Sequence, residues 1–135
     1  MSSEVTNINE RKVVLPTWLD TLIFNDLSAN YCRQNKDMVV LEWNFDDIKK
    51  YLGTYFPRSY AESFCIFSNF FSKEKYVYEN CQELSIFDFG CGTGGELIGF
   101  IIAVTKQLPN IKKITIRALD GNSYALKCLE CILEK

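Results

Sequence analysis

The chain has no histidine among its 135 residues, only three prolines and two methionines, and no apolar run long enough to span a membrane. Without imidazole, it lacks the side chain that most often shuttles protons near neutral pH and most often ligates zinc. Catalysis by a histidine base is excluded for these residues, and no metal site is expected. A helix needs about 20 mostly apolar residues in succession to cross a bilayer, so no membrane association is expected either. A dominant charge is absent too. The 15 lysines and arginines stand against 17 aspartates and glutamates, a net charge of -2, which gives no clear signal for nucleic acid. Short basic clusters at Arg11-Lys12, Lys49-Lys50, Lys73 with Lys75, and Lys112-Lys113 read as solvated faces.

Internal repeats and low-complexity tracts are also lacking. Six cysteines are present. They lie mainly within apolar patterns and no secretory leader precedes them, so the expectation is a reduced, cytoplasmic protein and not a disulfide scaffold. Cys128 and Cys131 form a C-x-x-C on an expected helix. No second pair accompanies them, and zinc takes about four ligands.

What the chain does have is apolar and aromatic material, 47% and 14% of its residues, enough at this length for one domain with a core. Met1 to Lys12 is polar and expected to be flexible. Leu15-Pro16-Thr17 opens a helix running to about Cys32, with Trp18, Leu19, Leu22, Ile23 and Leu27 along one side. Arg33 to Asp37 reads as a polar turn, and Met38 to Trp43 fits either a short strand or a helix end. Asn44 caps a helix from Phe45 to about Tyr55. Pro57 restarts the chain into another helix, to about Ser72, whose Tyr60, Phe64, Phe67 and Phe71 form an aromatic stripe that reads as core. Lys73 to Glu83 is a polar linker. The expected organisation is a flexible N-terminus at 1–12, a helical cap region and linker at 13–83, and an α/β unit at 84–135.

Leu84 to Gly95, LSIFDFGCGTGG, organises that unit. Leu84, Ile86, Phe87 and Phe89 predict a buried central strand of a parallel sheet. Gly90, Gly92, Gly94 and Gly95 then mark a loop whose backbone turns sharply or approaches a ligand closely. Glu96 to Leu108 is an apolar helix with its N-terminal dipole aimed at the loop. Pro109-Asn110 ends it. Ile114 to Leu119 is a second strand ending on Asp120, where a carboxylate accepts hydrogen bonds from vicinal ribose hydroxyls. Asn122 or Ser123 caps a last helix, Tyr124 to Glu134.

Asp88-Phe-Gly-Cys-Gly-Thr-Gly-Gly95 resembles motif I of the class I S-adenosylmethionine-dependent methyltransferases, an acid followed by alternating glycines at the end of the first strand. The resemblance implies the first half of a Rossmann-like methyltransferase fold behind an N-terminal helical layer. It also implies S-adenosylmethionine as cofactor and methyl transfer by direct displacement. The acceptor is left open among protein, RNA, DNA and small molecules, and no catalytic residue is assigned. It places Asp88 at the methionine end of the cofactor, Gly90, Cys91, Gly92 and Gly94 beside it, Asp120 at the ribose, and Gly121, Asn122 and Ser123 near the adenine. Arg58 is the candidate partner of the methionine carboxylate, with pairing to Glu62 at i+4 as its alternative. Cys91 is read as a small loop residue and not as a thiolate nucleophile.

Two other readings stay open. Gly90, Gly92 and Gly95 also satisfy G-x-G-x-x-G, so a dinucleotide-dependent oxidoreductase is one. A non-catalytic Rossmann-like interaction module is the other. The methyltransferase fold has more strands than residues 84–135 supply. The expectation is therefore a fragment of a longer, split or partner-completed enzyme, inactive by itself, that self-associates or pairs with a partner across its open sheet.

Overall fold

A computed structural model describes residues 8–9, 12–31 and 44–134. Ile8–Asn9 (β1) pairs antiparallel with Lys12–Val13 (β2), setting Ile8 opposite Val13. Part of the segment expected to be flexible is thus a small ladder. Pro16 precedes the helix Thr17–Thr21 (α1), and its carbonyl accepts from the Leu19 and Asp20 N–H groups. The helix then widens into a π-helical turn, Leu22–Asp26, and Ser28 enters the left-handed region at φ 56°. Helix to Cys32 was the expectation, but Asn25, Asp26 and Ser28 have side chains that compete for backbone groups, and the helix stops before them or among them. Cys32, the polar turn at 33–37 and the ambiguous stretch at 38–43 lie outside the described residues.

Asn44 caps the next helix as expected, accepting from the Asp47 N–H while the Asp47 carboxylate accepts from the Asn44 N–H. The helix does not stop at Tyr55. It runs unbroken from Phe45 to Lys73 (α2), with Pro57 inside it. Proline in a helix interior costs about 3 kcal/mol through a lost N–H and a clash one turn back. Here one stripe crosses the proline: Ile48, Leu52, Phe56, Tyr60 and Phe64, at steps of four, are all buried. Packing on both sides of Pro57 holds the two halves in line. The linker is more ordered than its polarity suggested, with a 3₁₀ turn at Lys75–Tyr78 and the Tyr78 ring set edge-on to Phe71 at 5.4 Å.

Glu83–Phe89 (β3) and Lys113–Leu119 (β4) form a two-stranded parallel sheet, joined by the helix Gly95–Gln107 (α3) and followed by Ser123–Leu133 (α4). These bounds lie within one residue of those read from the sequence. The chain is of mixed helix and strand, in keeping with the α/β class. Leu97, Ile98 and Ile102 of α3, and Ala125, Leu129 and Ile132 of α4, share a core with α1, α2 and the inner strand face. Close contact between α3 and α2 is made possible by small residues: a Cβ on Gly95 would lie 2.7 Å from the Phe56 carbonyl oxygen, and one on Gly99 2.6 Å from that of Tyr60. Ser63 Oγ donates to the Glu96 carbonyl across the same seam.

The strand expected to be buried is covered on one face only. Burial alternates along both strands, and Ser85, Phe87, Phe89, Thr115, Arg117 and Leu119 point outward, with Phe89 80% exposed. Among the described residues, no helix is long and apolar enough to cross a membrane.

Candidate functional site

The carboxyl ends of β3 and β4 meet at the loop Gly90–Gly94, whose N–H groups donate mainly to the end of β4. Gly90 and Cys91 N–H both donate to the Leu119 carbonyl, at 2.7 and 3.0 Å, and Gly94 N–H donates to the Cys91 carbonyl. Gly92 N–H donates to Asp120 Oδ2 at 2.8 Å, and Asp120 Oδ1 accepts from Asn122 N–H at 2.8 Å. Asp120 therefore ties the loop to the end of β4. Each carboxylate oxygen has a second lone-pair direction, so the residue keeps acceptor capacity for a diol.

The glycines divide by what fills the space a Cβ would take. At Gly90 nothing lies within 4 Å. At Gly92 the Tyr51 hydroxyl is 2.9 Å away, and at Gly94 the Leu129 side chain fills the space. All three hold positive φ, +73°, +55° and +87° in chain order, where a side chain is strained. The resemblance places Gly90, Gly92 and Gly94 beside a ligand, and the run of glycines predicts a sharp turn or a close approach. Here those approaches are made by Tyr51 of α2 and Leu129 of α4, and the open surface of the loop is at Gly90.

Asp88 and Cys91 flank that surface, both half-buried. Burial first, then the nearby Glu96 and Asp120, raises the Asp88 carboxyl above its ordinary range. Burial, Asp88 and Asp120 push the Cys91 thiol up to about 11, so it stays protonated near neutral pH. Its Sγ faces the Gly92 carbonyl at 3.6 Å. A cleft of about 190 Å³ adjoins Asp88, lined by Phe67, Ile86, Phe87, Glu96, Leu97 and Phe100.

The remaining candidates are placed differently. Arg58 pairs with Glu62 at 3.0 Å on an exposed turn of α2, the alternative already weighed for it, and it borders a groove with Val13, Asp20 and Tyr31, apart from the loop's contacts. Asn122 is buried, and its side-chain oxygen caps α4 by accepting from Tyr124 and Ala125 N–H. Capping by Asn122 is one of the two alternatives expected for this helix start. Gly121 and Ser123 are exposed beside it. Cys128 is buried, while Cys131 is exposed. Among the described residues, no three histidine, cysteine or acidic side chains cluster as metal ligands.

Tyr51 and Glu96 were missed in the sequence. Glu96 had a usable signal, an acid in the first turn of the helix that follows the glycines. Tyr51 had none, since it lies one residue off the apolar stripe of α2.

Asp88 carries a pH prediction. A carboxyl raised in the fold holds its proton to higher pH than in the unfolded chain, so its contribution is fully present below the unfolded pKa and is lost as pH rises through the folded one. Asp88→Asn is expected to melt higher than wild type at neutral pH, with the gap closing as pH falls below the ordinary carboxylate range. Thermal melts across that range would show a constant or reversed gap if Asp88 were not under this strain.

Compared with known proteins, the chain matches no family model, no curated protein and no solved structure.

Proposed function

We propose that this chain is the S-adenosylmethionine-binding part of a methyltransferase of the class I, Rossmann-like type. The observation that carries the reading is the sign of the loop's chemistry. The N–H groups of Gly90, Cys91, Gly92 and Gly94 are taken by Leu119, Asp120 and Cys91, and the surroundings are the acids Asp88, Glu96 and Asp120. A dinucleotide needs loop N–H groups for its pyrophosphate. Such a ligand would find these N–H groups engaged and meet negative charge. A ligand bearing a sulfonium, an ammonium and a vicinal diol suits the same surface: Asp88 and Glu96 attract the cationic end, and Asp120 accepts from the diol.

When bound, S-adenosylmethionine supplies an electrophilic methyl group to a nucleophile of the acceptor. The chain's own part is to bind and orient. Asp120 fixes the ribose end while holding the loop through Gly92. Asp88 holds the methionine end and, with a cation beside it, loses its proton more readily. The protonated Cys91 stays out of the chemistry. No described residue is assigned to the acceptor.

Calorimetric titration with S-adenosylhomocysteine and with NADH tests the reading. Saturable, weak binding of the first and none of the second is expected, with no methyl transfer by this chain alone. Binding of NADH in preference would favour an oxidoreductase, and binding of neither would favour an interaction module.

The outer sheet face, with Phe87, Phe89 and Leu119 adjoining, also supports self-association of the chain. Sedimentation over a range of concentrations is expected to show reversible dimers that Phe87→Lys with Phe89→Lys abolishes. A wild-type chain that stays monomeric throughout would dismiss this.

A further inference from the structure

We propose that Tyr51 gates the glycine loop and decides what can lie over Gly92, so that the helical layer, and not only the loop, sets access to the candidate site. In a loop of this kind the second glycine normally leaves room for a ligand to approach the backbone. In this chain the Tyr51 hydroxyl takes that room, 2.9 Å from where a Gly92 Cβ would stand, with the ring edge at 3.4 Å. Tyr51 is held there from α2, its ring stacked on Tyr55 at 5.2 Å between centroids. Two further groups of the site are near enough to be felt at its hydroxyl: burial raises the phenol, and Asp120 and Cys91 add to the shift. A phenol that fills the Cβ space of Gly92 and feels Asp120 covers the part of the loop where a diol on Asp120 would reach.

The half-buried Tyr51 is attached by rotatable bonds, whereas Gly94 and Gly95 are closed off by the core residue Leu129 and by the Phe56 backbone. Of these three covers, Tyr51 is the side chain that lies outside the buried core. A binding-competent state that is only partly populated weakens apparent affinity by its population, so removing the gate strengthens binding. The identity of the ligand rests on the methyltransferase reading. The gate itself does not.

The test compares wild type with Tyr51→Ala in two measurements. The first follows alkylation of Cys91 by iodoacetamide at mildly alkaline pH, with peptides resolved by mass spectrometry and the buried Cys128 as an internal gauge of the fold. The second is calorimetric titration with S-adenosylhomocysteine. Tyr51→Ala is expected to speed alkylation of Cys91 by about fivefold or more while Cys128 stays protected, and to tighten the ligand by a similar factor. Faster Cys91 alkylation with no ligand bound by either protein keeps the gate and removes the cofactor reading. Unchanged Cys91 reactivity with Cys128 protected overturns the gate. So does faster reaction at both thiols, which would make Tyr51 a residue of the fold. Weaker ligand binding by Tyr51→Ala also overturns it, since the ring would then be a contact and not a barrier.

Discussion

Gly99→Ala is expected to destabilise the protein by about 2 kcal/mol, and Gly99→Val by more, although alanine in an isolated helix would gain about 1 kcal/mol over glycine. The sign reverses because of what faces Gly99. A Cβ there would lie 2.6 Å from the Tyr60 carbonyl oxygen and 3.1 Å from the Phe64 nitrogen, both main-chain atoms in the middle of α2. Main-chain atoms of a packed helix cannot rotate away, so α2 and α3 must separate. Their separation would loosen the shared apolar core and shift the start of α3, on which the loop is mounted. Chemical denaturation of the two variants beside wild type measures the loss. An alanine variant as stable as wild type would mean that the two helices are not in such close contact.

Asp120→Ala is expected to damage both the fold of the loop and its binding. Two N–H groups, of Gly92 and Asn122, lose a charged acceptor at 2.8 Å each. Hydrogen bonds to charged groups are worth about 1.5 to 3 kcal/mol when buried, and water repays part of that at this half-buried position, so a net loss of about 2 kcal/mol is expected. If Asp120 also anchors the ribose, S-adenosylhomocysteine should bind about tenfold more weakly or worse. Asp120→Asn separates the two roles. It keeps one acceptor oxygen for the Gly92 or the Asn122 N–H and removes the charge, so stability should return in part while affinity does not. Full affinity in Asp120→Ala would dismiss the ribose assignment, and an unchanged melting temperature would dismiss the role as a tie.

The resemblance to motif I rests on residues close together in sequence, and their local structure was correspondingly legible. Short apolar runs of β-forming residues marked β3 and β4, glycines marked the turn, and Asn44 and Asn122 marked helix starts, because each depends on neighbours a few residues away. The continuity of α2 across Pro57 was also written in the sequence, as the five-residue stripe from Ile48 to Phe64, but proline's local signal was the stronger one to read.

The sequence by itself determined that a strand, a glycine turn, a helix and a second strand ending on an acid follow one another. Only the tertiary structure decided what each of those residues does. Whether the missing Cβ of Gly92, Gly94 or Gly99 makes room for a ligand, a side chain or a helix backbone depends on which distant segment arrives there, and Tyr51, Leu129 and Tyr60 are those arrivals. Likewise, an acid at the end of a strand is equally suited to a ligand's hydroxyls and to the chain's own N–H groups. Asp120 reaches Gly92 only because parallel pairing sets Phe89 beside Leu119, which brings the two strand ends to the same edge of the sheet.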